Sequence, residues 1–262
     1  MTRERSQGPS LFGVLALLFW SGIASVAHAQ FDHWQLMQMD AAAFRLDTVA
    51  MMPVGRGGSI DMVYGDRYGH LRVVRLSDGS AVERWRSTPL EGPIYEVLVE
   101  DLEGDGSSEI IARTQQGSIH VYNDAFRELW SSQQSEYRDI EAMTIANVDE
   151  DDAFELILLV QGRIYYVDGA TFQQEYQSLQ AYRAVRMAVG NVDSDAELEL
   201  VLNSGKVLDV KTTEEEWGPG VFGDFIQLLD IDGDGLQEIL GWTSGREMRI
   251  FDVDSRQEKP LN

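Results

Sequence analysis

Four stretches of this chain place acidic or amide side chains at the first, third, fifth and ninth positions of a nine-residue loop. The clearest is Asp230-Ile231-Asp232-Gly233-Asp234-Gly235-Leu236-Gln237-Glu238. Asp101–Glu109, Asn147–Glu155 and Asn191–Glu199 follow the same plan. A fifth, eroded copy aligns at Pro53–Asp61, where Val54-Gly55-Arg56-Gly57-Gly58 replaces the acids. A pattern recurring every 40–50 residues or so restricts the chain to a repeat architecture, in which each unit buries its apolar face on the next.

The segments around the loops repeat as well. Short apolar runs precede them: Leu46–Met52, Tyr95–Val99, Ala142–Ala146, Val185–Val189 and Phe225–Leu229. Further runs follow at Ile60–Val63, Glu109–Ala112, Glu155–Val160, Glu199–Leu202 and Glu238–Gly241. After a glycine-bearing turn comes a third segment, and then a fourth that carries Trp85, Trp130, Tyr176 or Trp217. These segments are short, β-branched and aromatic-rich, with Gly, Asp, Asn and Ser at their ends, as strands are. No stretch keeps a helical period over a dozen residues. The reading is all-β: a β-propeller of five blades with four strands each. One aromatic per unit at the same place points to packing between blades.

The ends of the chain bear on closure. Leu11 to Trp20 is an apolar run behind Arg3 and Arg5, and Ala27-His28-Ala29 forms a cleavage site, so residues 1–29 read as a secretory signal peptide. Residues 30–262 then form a single exported domain, secreted or periplasmic, with no membrane insertion after cleavage. Its last unit shows three strand patterns and ends in the polar Gln257–Asn262. An unpaired edge invites aggregation, and Asp32–Met37, with Trp34, resembles the missing fourth strand. This N-terminal strand is expected to close the ring on the last blade.

Alternate acids on a tight turn suit calcium, a hard cation that takes six to eight oxygen ligands. The candidate ligands are Asp230, Asp232, Asp234 and Glu238; Asp101, Glu103, Asp105 and Glu109; Asn147, Asp149, Asp151 and Glu155; and Asn191, Asp193, Asp195 and Glu199. Gly235 and Gly106 supply position six, where a left-handed turn is expected, while Asp152 and Ala196 stand there in the other two loops. That ranks the 230 loop first and the 191 loop last. An EF-hand fails as an alternative, because its twelfth position would be Ala112, Leu158, Leu202 or Gly241 and its flanks here read as strands. The bland reading of the same residues is a set of acidic β-turns. Calcium, if bound, is expected to be structural, since its removal leaves several carboxylates crowded together.

An inner strand, a D-x-D-x-D-G-x-x-E/D loop and a second strand, repeated through the chain, resemble the FG-GAP/VCBS repeats of integrin-α-like propellers. Phe222-Gly223 stands where that family's Phe-Gly pair precedes the inner strand, whereas the Gly-Ala-Pro that follows the second strand is absent. Integrin-type members commonly have seven blades, against five units here. The resemblance implies calcium in the loops and a role as an interaction or adhesion module.

Composition narrows the partners. With 44 acids against 21 bases the net charge is −23, which argues against nucleic acid and anionic lipid. Cysteine is absent despite the expected export, so packing and metal must supply stability. The chain holds no G-x-S-x-G, H-E-x-x-H or G-x-x-x-x-G-K-[ST] motif. His70 and His120 read as packing or surface residues. The expectation is a non-catalytic module holding a protein partner. The alternative is a carbohydrate-binding or polysaccharide-active propeller that uses Trp242 or the Trp217-Gly218-Pro219-Gly220 segment.

Overall fold

The computed structural model describes residues 48–54, 59–77, 80–132, 137–149, 151–195, 197–245 and 247–259. Blade 1 consists of β1 (Val49–Val54), β2 (Ser59–Gly65), β3 (Leu71–Ser77) and β4 (Ser80–Arg86). Blade 2 contains β5 (Ile94–Glu100), β6 (Glu109–Thr114), β7 (Ile119–Tyr122) and β8 (Glu128–Ser131). Blade 3 is built of β9 (Ile140–Ala146), β10 (Glu155–Val160), β11 (Arg163–Asp168) and β12 (Gln174–Gln177). In blade 4 are β13 (Met187–Gly190), β14 (Glu199–Leu202), β15 (Lys206–Asp209) and β16 (Glu215–Trp217). Blade 5 comprises β17 (Phe225–Leu229), β18 (Glu238–Trp242), β19 (Met248–Asp252) and β20 (Gln257–Lys259). Each blade is a four-stranded sheet whose strands pair in chain order.

Burial explains which sequences fill which strand. Second strands are covered on both faces by neighbouring blades, so β6, β10 and β14 are buried along their whole length and read as continuous apolar runs. Fourth strands face solvent, and β20 is exposed throughout. Buried apolar side chains form a core at each successive junction: Val63 and Val73 against Val97 and Ile110, Ile111 and Val121 against Leu156 and Leu158, Ile157 and Tyr166 against Leu200 and Leu208, and Val201 and Trp217 against Phe222 and Phe251. No such core joins blade 5 to blade 1 among the described residues. The inner strands converge on a common axis. Arg186, just before β13, reaches Tyr95 of blade 2 (Nη2 to Oη, 3.4 Å) and packs over the ring of Phe225 in blade 5.

The fourth-strand aromatics pack between blades, as their once-per-unit spacing suggests. Trp85 stacks on Phe126 and Trp130 on Phe172, with ring centroids 5.1 and 5.3 Å apart. Tyr176 donates to the Thr212 carbonyl at 3.0 Å and lies 3.0 Å from Thr213 Oγ1, and Arg256 lies over Trp217. Phe126, Phe172, Thr213 and Arg256 all adopt positive φ in the turn after the third strand. That unusual backbone aims one residue of each turn back at the preceding blade.

The last unit departs from the sequence expectation, because its fourth position is taken. β20 pairs with β19 through Ile250↔Lys259, Phe251↔Glu258 and Asp252↔Gln257. Arg249 binds Glu258 in a two-pronged ion pair (3.0 and 2.6 Å), and Lys259 pairs with Asp252. The polar composition of Gln257–Lys259 was misleading because an outermost strand faces water. Asp32–Met37, the expected clasp, and residues 1–29 lie outside the described residues. Among those described, no helix is long and apolar enough to cross a membrane.

Candidate metal centres

Every acidic loop joins a blade's inner strand to its second strand, so all four project from the end where the inner strands finish. They fall into two types. In the 101 and 230 loops position one is aspartate, and it folds back on the loop's own amides. Asp101 accepts from the N–H of Asp105 (3.1 Å) and Gly106 (2.8 Å), and Asp230 from Gly233 (2.7 Å) and Gly235 (3.1 Å). Gly106 and Gly235 have φ of +88° and +98°, a conformation that a side chain would strain. In the 147 and 191 loops position one is asparagine, which donates instead to the position-five carbonyl: Asn147 to Asp151 at 2.7 Å and Asn191 to Asp195 at 3.2 Å. Asp152 has no positive φ. The left-handed turn expected there is not used, because the asparagine closes the loop from the other side. Ala196 lies outside the described residues.

The ninth-position glutamates share one structural task. One oxygen of each accepts the N–H of position two: Glu109 from Leu102 (3.0 Å), Glu155 from Val148 (2.6 Å), Glu199 from Val192 (2.7 Å) and Glu238 from Ile231 (2.8 Å). All four are buried. Burial, reinforced by neighbouring acids, pushes Glu109, Glu155 and Glu199 up to about 7, against backbone N–H groups that favour the charged form. The second oxygens of Glu155 and Glu199 are buried with no hydrogen-bond partner, as is Asn191 Oδ1. An orphaned carboxylate oxygen inside a protein is costly, which is what a cation would relieve.

Three groups of carboxylates come within 4.8 Å of one another among the described residues. One is Asp230, Asp232 and Asp234, all exposed; Glu238 stays apart, capping Ile231. The others are Asp149, Glu155 and Glu175, and Asp193, Glu199 and Glu216. Asp101, Glu103, Asp105 and Glu109 form no such group, and Asp151 and Asp195 stand outside theirs, accepting the N–H of Ala153 and Glu197. Glu175 on β12 and Glu216 on β16 escaped the sequence reading. Both occupy a register shift: Tyr166↔Tyr176 and Val167↔Gln174 leave Glu175 over, and Val207↔Trp217 and Leu208↔Glu215 leave Glu216 over. Their signal was local, since each immediately precedes its unit's aromatic. Glu216 Oε2 is also buried without a partner.

The eroded unit keeps a buried acid at position nine. Asp61 is fully buried, accepts from Arg84 Nη1 at 2.7 Å and is gripped by Arg75 through two nitrogens. Elsewhere, His120 is held between Glu91 (2.9 Å) and Glu128 (2.7 Å), and His70 Nδ1 lies 3.0 Å from the Ser87 carbonyl, as packing histidines would. An open depression of about 380 Å³ lies between Glu141, Tyr182 and Asn203.

No protein-family model and no curated protein matches the chain. Solved structures do resemble it. The Vibrio cholerae biofilm matrix protein Bap1 aligns over 79% of this chain and 37% of its own at 17% identity, with a TM-score of 0.54. The Neurospora crassa Pan2 WD40 domain aligns over 82% and 64% at 12% identity, TM-score 0.53. BamB from Moraxella catarrhalis aligns over 82% and 65% at 15% identity, TM-score 0.51. This chain therefore spans less than two thirds of each. At such identities the likeness is one of fold, and the fold is a β-propeller.

Proposed function

We propose that this chain is an exported, calcium-binding β-propeller that acts as a non-catalytic protein-interaction and adhesion module, with calcium holding the blade loops. What carries the reading is the contrast between the two ends of the molecule. Where the inner strands finish, the acidic loops gather. Where they begin, the connections present exposed apolar side chains: Tyr68, Leu179 (91% exposed), Val185 and Val221. Val185 and Val221 flank Asn203, whose side chain accepts the Val185 N–H and donates to the Gly223 carbonyl. Apolar residues held out on rigid connections suit a protein partner. Calcium in the loops is supported by the buried, unpartnered oxygens of Glu155 and Glu199.

The carbohydrate reading has less support, because the aromatics it needs are engaged in packing. Trp217 is 8% exposed, and Trp242 stacks on Phe225 with centroids 5.6 Å apart. Cross-linked pull-downs from the native source, run in calcium and in chelator, test the proposal. Leu179→Glu and Val221→Glu should each lose the captured partner while melting normally. Undiminished capture by both variants would place the partner elsewhere, and a melting curve unmoved by chelator would remove calcium from the reading.

A further inference from the structure

Blade 1 lacks an acidic loop, yet around the ninth position its strands keep the register of blades 3 and 4. Position nine pairs with the residue that precedes position one: Met52↔Asp61, Ala146↔Glu155 and Gly190↔Glu199. The third strand answers with Asp61↔Arg75, Glu155↔Asp168 and Glu199↔Asp209. The outermost strand carries the same register shift in blades 1 to 4. Val73↔Trp85 and Val74↔Glu83 leave Arg84 over in blade 1, in the place of Glu175 and Glu216. In blade 1 that extra residue carries a guanidinium to the buried acid. In blades 3 and 4 it brings another carboxylate to a buried acid that already has an unpartnered oxygen.

We infer that blades 3 and 4 each take a divalent cation between the loop and the outermost strand, in the place the Arg84 guanidinium fills in blade 1. The ligands are Asp149, Glu155 and Glu175 in blade 3, and Asp193, Glu199 and Glu216 in blade 4. Acid clusters alone would not establish this. The decisive observation is that Glu155 and Glu199 are 0% exposed and that each, as a member of its cluster, keeps one buried oxygen without a hydrogen-bond partner. Among the described residues no basic group pairs with Asp149, Glu155 or Glu175. In blade 4, Arg256 comes within 3.8 Å of Asp193 from blade 5 and lies over Trp217, at the margin of the cluster. A hard cation with oxygen ligands matches three carboxylates and no nitrogen or sulfur donor. It would tie the inner edge of each blade to its outer strand. Blade 1 needs none, having a cation of its own.

The inference rests on the reading of the loops as calcium sites but assigns ligands from a different strand, and one set of measurements separates the two. Calcium chloride is titrated into the full chain, and melting is followed in calcium and in chelator. The Glu175→Gln/Glu216→Gln variant, close to isosteric, should lose more than about tenfold in affinity at two sites, the least expected even for groups that only support ligands. The Glu216→Arg variant should bind one ion fewer and melt in chelator closer to its calcium value. Unchanged affinity and stoichiometry in the glutamine variant would overturn the inference and leave loop calcium standing. Absence of calcium binding by the wild type would overturn both. If Glu216→Arg fails to fold, the glutamine titration decides alone.

Discussion

Blade 1 and blade 4 pair their strands in one register and answer the same buried acid in opposite ways. Asp61 lies between two arginines, whereas Glu199 faces Asp193 and Glu216. Blade 1 supplies its own positive charge, and blade 4, on the inference above, would take it from solution. A guanidinium is always present. A cation taken from solution makes stability depend on how much of it the surroundings hold. Blade 2 stands between them: its Glu109 is buried, and the extra residue of its outer strand is Leu129, left over by Val121↔Trp130 and Tyr122↔Glu128.

The sharpest way to break the comparison is to remove each acid's charge and compare signs. Asp61→Asn strands two guanidiniums and should lower stability in calcium and in chelator alike. Loss of one partner from a buried pair costs about 3–5 kcal/mol, and the partial exposure of both arginines puts this case near the lower figure. An unmoved denaturation midpoint would mean that the pair contributes nothing.

Acidity gives the next largest effect, again with opposite signs. Burial alone would raise Asp61, but hydrogen bonds from Arg75 and Arg84 outweigh it and hold the group below its usual value. Its contribution is therefore present above the unfolded carboxylate range and is lost as pH falls through the folded value. Glu109, Glu155 and Glu199, pushed up to about 7, behave in reverse when no metal is bound. Between the ordinary glutamate value of 4.5 and about 7 the folded chain holds more protons than the unfolded one, so stability falls as pH rises. Melting in chelator should decline from about pH 5 to pH 8, and calcium should flatten that decline. A rise across the window without metal contradicts the assignment.

Smaller effects refine the contrast. Glu199→Gln removes one charge from a crowded cluster, so in chelator it should raise stability, by about 1 kcal/mol or less, while weakening calcium binding. A loss in chelator comparable to that of Asp61→Asn would erase the distinction between the blades. Leu129→Glu should hardly change melting, within about 0.5 kcal/mol as for most exposed positions. It should nevertheless add one bound calcium by supplying blade 2 with the carboxylate it lacks. Unchanged stoichiometry would show that the outer strand does not set occupancy there.

Much of this was legible in the chain. Glu155–Val160, Glu199–Leu202 and Phe225–Leu229 are strands with the bounds that their apolar runs suggested. Trp85, Trp130 and Tyr176 pack across blade junctions as their spacing implied. Gln257–Lys259 was unreadable as a strand because solvent-facing edges carry no apolar pattern. The ranking of the loops by their glycines also has a limit. Gly235 shapes an exposed cluster of aspartates, whereas the clusters that include a buried glutamate form where asparagine opens the loop and position six is not glycine.

Residue order alone carries the repeat period, the positions of the apolar strands and an acid at or near the start of each second strand. These are properties of local spacing and side-chain type, and they survive in any register. Which acids meet is set by how the strands pair in three dimensions. Glu175 and Glu216 follow Glu155 and Glu199 by two strands, and their approach depends on one residue left over in the pairing of the third and fourth strands. A strand without that shift would place the following residue on the opposite face. That single pairing decides which residue reaches the buried acid, and the residue standing there, Arg84 in blade 1 and Glu175 or Glu216 in blades 3 and 4, sets the sign of the charge.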